Sequence, residues 1–182
     1  TAPGVKLTFT PQIMQPAIQI EQGGADLVIA PAMYCVTDHP SEALLTDTMV
    51  CVVDAANPAR WDFTPTALQD LEHVVMRPPG DSESYSMTAL ARAGINVATP
   101  ILSFSFASLP ALVRGTNRVA VVQSLLAREL AGDDLVVIPS PVPLAPLEQC
   151  LLWHKLRSPD PGIAWLREQA RLAAGEVQRQ QA

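Results

Sequence analysis

Residues 104–122, Phe-Ser-Phe-Ala-Ser-Leu-Pro-Ala-Leu-Val-Arg-Gly-Thr-Asn-Arg-Val-Ala-Val-Val, place a short helix, its stop and an apolar strand in immediate succession. That succession restricts the chain to folds in which helices and strands alternate. Ser105 and Ser108 are candidate N-caps, and Pro110 falls near the first turn, where a missing N–H costs little. Gly115 can adopt the left-handed conformation that ends a helix. Val119, Ala120, Val121 and Val122 follow without polar alternation, as in a strand buried on both faces.

The same grammar runs through the chain. Val5, Leu7 and Phe9 alternate with Lys6 and Thr8, the period of a half-buried strand over residues 5–9. Pro16 opens a helix to about residue 22, closed by Gly23-Gly24, and residues 27–30 are expected to form a strand buried on both faces of a parallel sheet. Residues 43–53 predict a longer strand, interrupted near Thr46-Asp47. Residues 57–63 read as loop, and Thr64-Pro65 starts a helix to about Leu71. A strand over 74–77, a loop over 78–81, a helix over 84–92 stopped at Gly94, and a strand over 96–102 come next. Beyond the opening segment, a helix over 124–131, a strand over 135–138 and a return strand over 147–154 are predicted. Asp160 caps a last helix with Pro161 at its first position; Ile163, Leu166, Ala170, Ala173 and Val177 make its apolar stripe, and residues 175–182 read as a fraying polar tail.

Strands alternating with helices point to an α/β fold. Two extended connections, over 55–63 and over the proline-rich 139–146, divide the chain into outer and middle segments. Residues 1–56 plus 147–182 are expected to build lobe I and residues 57–146 lobe II. Two crossing strands between them would frame an inter-lobe cleft, a usual place for a small ligand.

Several functions are disfavoured by the residues. A net charge of −6 repels a phosphate backbone, so these residues are not expected to bind DNA themselves. The apolar runs are too short to span a membrane. Cys35, Cys51 and Cys150 are odd in number, lie in apolar sequence and make no CxxC pair, as expected of buried thiols in a reducing cytosol. His39, His73 and His154 are far apart and read as structural, and no Gly-x-Ser-x-Gly elbow is present. No catalytic residue, metal or cofactor is therefore expected, nor enzymatic activity. Trp61, Trp153 and Trp165 read as packing residues, and Asp81, Ser82, Glu83 and Ser84 as a solvated loop and helix cap.

Candidate ligand contacts remain. Ser103, Phe104, Ser105 and Phe106 offer hydroxyls and aromatic faces beside a helix start; capping by the serines and core packing by the phenylalanines is the plainer alternative. Ala30, Pro31 and Met33 follow an apolar strand, where open α/β sheets bind ligands, or form an inert loop. Met76 and Arg77 end another strand. Arg77 suits a ligand carboxylate or a salt bridge. Pro139 and Ser140 lie on the second extended connection.

The order of these pieces resembles the inducer-binding domain of LysR-type transcriptional regulators, particularly the branch of the nodulation regulators and the regulators of aromatic degradation. The resemblance rests on the Phe104–Val122 passage and on Gly23-Gly24 followed by Asp26-Leu-Val-Ile-Ala-Pro31. It rests also on residues 41–53, on His73-Val-Val-Met-Arg77, and on Trp153-His154 with Asp160-Pro161 and Trp165-Leu166-Arg167-Glu168. It implies a two-lobed type II periplasmic-binding-protein-like fold with two crossover strands, and it places residues 103–106 on the cleft wall. It further implies a small aromatic or phenolic effector, a homo-oligomer (a dimer through this domain and a tetramer in the full-length protein) and a cytoplasmic location. DNA would be bound only through an N-terminal winged helix-turn-helix that this sequence does not contain. The family's opening strand and helix are likewise absent, since the sequence begins where the second strand would. A periplasmic solute-binding protein of a transporter would share fold and cleft, and an upstream signal peptide would distinguish it.

Overall fold

The structure is a computed structural model that describes residues 4–11, 15–78, 83–130 and 132–179. The chain divides into two compact units, Thr1–Leu45 with Gln149–Ala182, and Thr46–Glu148. The strand Met49–Asp54, which the expected division at 56/57 and 146/147 assigns to lobe I, pairs inside the middle unit.

The middle unit is built on a five-stranded sheet of β3 (Met49–Asp54), β4 (Glu72–Met76), β5 (Ile101–Ser103), β6 (Arg118–Gln123) and β7 (Leu135–Pro139), in the order β5-β4-β6-β3-β7. β4 runs parallel to both β5 and β6, while β3 is antiparallel to β6 and β7. The central strands are apolar at successive positions because both faces are covered. Met49, Cys51, Val53, Val119 and Val121 face one core with Leu68 of α2 (Pro65–Asp70) and Leu90 of α3 (Tyr85–Arg92). Val52, Ala120 and Val122 face the other with Leu109 and Val113 of α4 (Leu109–Val113) and Ala127 of α5 (Ser124–Leu130). Each buried Val or Leu contributes about 1.5–3 kcal/mol.

Local signals hold these elements at the expected places. Thr64 accepts a hydrogen bond from Ala67 N, capping α2. Gly94 (φ +84°) ends α3, and Gly115 (φ +66°) closes the turn after α4. The buried carboxylate of Asp54 accepts from Gly115 N (2.5 Å) and Ala56 N (2.8 Å), and these bonds hold its pKa low. The expected interruption at Thr46-Asp47 is a strand break: β2 (Ser41–Asp47) ends there and β3 begins two residues on, in a different sheet.

The outer unit holds α1 (Pro16–Glu21), the sheet β1-β8-β2 with β1 (Val28–Pro31) and β8 (Leu147–Leu152), and α6 (Pro161–Arg179). Ile20, Val28, Ala30, Cys35, Cys150 and Leu152 form its core. All three cysteines are buried, and burial pushes the Cys35 thiol up to about 11. Glu42 of β2 receives two hydrogen bonds from Arg167 of α6 (2.5 and 3.1 Å) and one from Arg171 (3.3 Å). The Arg167 guanidinium also lies 3.8 Å over the ring of buried Trp153. His39 and His154, with ring centroids 4.8 Å apart, each accept a backbone N–H, from Lys155 and Leu156, so both are structural.

Several expectations are corrected. Residues 5–9 form no strand: Val5, Leu7 and Phe9 are exposed, because alternation makes a strand only where another offers hydrogen bonds, and none of the described residues does. β1 is not buried on both faces of a parallel sheet. It is an edge strand, antiparallel to β8, with Ile29 56% exposed. The strand over 96–102 shrinks to Ile101–Ser103, and the loop over 57–63 contains a 3-10 turn at Pro58–Trp61 capped by Asn57. Residues 153–154 leave β8, and His154 caps another such turn. α6 continues to Arg179, and it buries Ala174, where the stripe put Ala173. Trp61 is not a packing residue; it is 79% exposed beneath the Arg60 guanidinium. Asp81 and Ser82 lie outside the described residues.

Candidate functional site

Because β4, β5 and β6 are mutually parallel and β7 shares their direction across β3, their carboxyl ends lie along one rim of the middle unit's sheet. Met76 pairs with Ser103, and Val50 pairs with both Val122 and Pro139. Arg77 N donates to Ser103 O at 2.7 Å, carrying the pairing one residue past β4. The fold thus brings Met76, Arg77, Ser103, Phe104, Pro139 and Ser140 to one edge from three separate stretches of chain. Carboxyl-end rims are where open α/β sheets hold ligands.

The Ser/Phe segment divides by role. Ser103 is buried, and its Oγ reaches Ser105 O (3.1 Å), Ser105 N (3.3 Å) and the Ser108 hydroxyl. Ser108 Oγ donates to Ser105 O at 2.7 Å, and Ser105 Oγ caps the 3-10 turn Phe106–Ser108 by accepting from Ala107 N. These hydroxyls therefore satisfy one another and the backbone. Phe106 packs against the Val52–Leu109 core. Phe104 is 93% exposed, an aromatic face with no covering group among the described residues.

Around it, Met76 is half-buried against the same core as Phe106. Arg77 is exposed and makes no ion pair among the described residues. Pro139 is exposed; Ser140 Oγ donates to Val142 O (2.8 Å) and bonds Cys51, whose thiol is nevertheless pushed up to about 12 by burial. Ala30, Pro31 and Met33 belong to the outer unit. Ala30 is buried, Pro31 ends β1, and Met33 is 44% exposed on the 3-10 turn Ala32–Tyr34.

Two rim residues, Asp47 and Gln123, are not among the candidate contacts expected from the sequence. Asp47 is buried, and its carboxylate accepts from Thr48 N (2.7 Å), Ser124 Oγ (2.5 Å) and Leu125 N (3.1 Å), tying the β2–β3 break to the start of α5. Gln123 ends β6 opposite Met49, and its side-chain Oε1 is buried without a hydrogen-bond partner among the described residues. The only signal for either was polarity interrupting or ending an apolar run. Among the described residues no three His, Cys, Asp or Glu side chains gather to hold a metal ion, and no helix is long and apolar enough to cross a membrane.

Residues 1–174 match the family described as the LysR substrate binding domain. The chain is similar to nodulation protein D of Rhizobium leguminosarum bv. trifolii, 29% identical over 169 residues, covering 91% of this chain and 53% of that protein. It is also similar to the HTH-type transcriptional regulator SyrM of Rhizobium meliloti, 30% identical over 158 residues, covering 85% of this chain and 48% of that one. The chain thus spans about half the length of these relatives. Its fold is that of the regulatory domain of MexT, a transcriptional activator in Pseudomonas aeruginosa. There the TM-score is 0.75 at 16% identity, over 90% of this chain and 79% of that one.

Proposed function

The chain belongs to the LysR substrate-binding domain family, and on that premise we propose that it is the effector-sensing part of a cytoplasmic LysR-type transcriptional regulator, with its small aromatic or phenolic effector held on the carboxyl-end rim of the middle unit. Phe104 supplies the stacking face, Arg77 takes a carboxylate, and Met76, Pro139 and Ser140 border them. Ser103, Ser105 and Phe106, beside it in the chain, are further proposed contacts.

The observation that carries this reading is a nearly fully exposed aromatic ring and a guanidinium without an ion pair among the described residues, each one residue past the end of two paired parallel strands. A bound effector favours whichever conformation binds it more tightly. In the whole regulator, that preference passes through a homo-oligomer, dimeric through this domain and tetrameric at full length, to a DNA-binding segment.

The test is a thermal-shift screen of aromatic acids and phenols. A ligand at a hundred times its Kd stabilises by about 2.7 kcal/mol, or about 5–11 °C for a chain of this length. Phe104→Ala, at an exposed position, leaves the unliganded melting temperature unchanged and cuts the shift by half or more. Equal shifts in wild type and variant would place the pocket elsewhere.

A further inference from the structure

Resting on the effector site just described, we infer that Gln123 sets its chemical selectivity by requiring a hydrogen-bond donor, such as a hydroxyl group, on the aromatic effector.

The inference starts from an acceptor that the protein leaves unused. Gln123 Oε1 is buried yet receives no hydrogen bond from the described residues. A buried polar atom without a partner is unfavourable, and such exceptions concentrate where a ligand or ordered water completes the bond. Four other side-chain acceptors of this rim do receive protein donors. Asp47 receives three protein donors, Ser105 Oγ receives Ala107 N, Ser103 Oγ receives Ser105 N, and Ser140 Oγ receives Val142 N. Among these, Gln123 Oε1 is the buried acceptor left for a donor group that enters the site.

Its position suits that role. Glu72, His73 and Val74 of β4 pair with Arg118, Val119 and Ala120 of β6. The ladder ends there, and counting on along both strands puts Arg77 level with Gln123. The β4–β5 pairing, continued by one residue, puts Phe104 level with Arg77. Gln123 alternates with Val119 and Val121, which face the core covered by α2 and α3. The row Phe104, Arg77, Gln123 thus orders an exposed aromatic face, an exposed cation and a buried neutral acceptor. The complementary molecule is an aromatic ring bearing a hydroxyl and an anionic group. A site built to bond a hydroxyl discriminates strongly against the analogue lacking it, because its own polar group is then left unpaired.

The experiment compares 2-, 3- and 4-hydroxybenzoate with the matching fluorobenzoates by titration calorimetry on wild type, Gln123→Met and Phe104→Ala. Methionine keeps the side chain's length and removes the acceptor. At least one hydroxybenzoate is expected to bind wild type about tenfold more tightly than its fluoro partner, and Q123M is expected to erase that advantage. Equal binding of hydroxy and fluoro partners, or an advantage that survives in Q123M while Phe104→Ala abolishes binding, overturns the Gln123 assignment and leaves the rim site standing. Binding indifferent to both substitutions, or no binding of any probe, overturns the rim reading itself and this inference with it. Should Q123M not fold, the wild-type ratio decides: about tenfold supports the assignment, and a ratio near one overturns it.

Discussion

Replacing Asp47 with alanine tests whether one carboxylate joins the β2–β3 break to helix α5. Its oxygens accept from Thr48 N, Ser124 Oγ and Leu125 N within 3.1 Å, and the side chain is buried at 3% exposure. Hydrogen bonds to a charged acceptor contribute about 1.5–3 kcal/mol each, and a stranded buried donor costs about 1–3 kcal/mol. The three losses do not add. Thr48 is exposed and can donate to water, and the Ser124 hydroxyl can turn to another acceptor. Leu125 N is the donor with least recourse. Asp47→Ala should therefore destabilise by about 2–4 kcal/mol, lowering the melting temperature by about 4–16 °C in a chain of this size. Asp47→Asn keeps an oxygen for Thr48 N and Ser124 Oγ but turns an NH2 toward Leu125 N, so it should cost about half as much. Thermal denaturation followed by circular dichroism gives the stability. Amide hydrogen exchange supplies the local reading, with protection at Leu125 lost before that of the β3 and β6 amides. An alanine variant melting within about 1 °C of wild type, or with Leu125 protection intact, would refute the assignment of Asp47 as the link.

Two other perturbations separate electrostatic from backbone contributions. Hydrogen bonding from Arg167 first, then Arg171, holds the Glu42 carboxyl below its ordinary 4.5 against the opposing effect of burial. The folded-state pKa therefore lies below the unfolded one, and the stabilisation is present above pH 4.5 and lost as the pH falls through the folded value. Glu42→Gln should cost about 1 kcal/mol at pH 7, with the gap from wild type closing on acidification below 4.5 in urea titrations at stepped pH; a gap independent of pH would contradict this. Gly115→Ala meets no atom within 4 Å of the added Cβ, so its cost comes from the φ of +66° alone. It should be about 1 kcal/mol, measurable as a lower urea midpoint at unchanged slope.

What could be read without coordinates was set by the backbone within a few residues. Gly94 and Gly115 stop helices because only glycine takes a positive φ without strain, and Thr64 and Asp160 begin helices because a side-chain oxygen reaches N–H groups two or three residues on. The continuous apolar runs of β3 and β6 marked strands covered on both faces for the same local reason, and the order of such pieces identified the family.

Partners distant in the chain decided the rest. Residues 5–9 alternate like a strand and form none, since pairing belongs to two segments and one of them cannot reveal it. β1 reads as a central strand and lies at an edge, because strand order depends on which neighbour arrives. In the candidate site, Phe104, Arg77 and Pro139 were legible as exposed or strand-ending side chains. Register alone brought them to one rim and set Gln123 among them. Asp47 and Ser124, 77 positions apart, share a hydrogen bond that no local pattern could announce. Steric preference is a property of each short stretch, whereas an unused acceptor such as Gln123 Oε1 is defined only by everything packed around it.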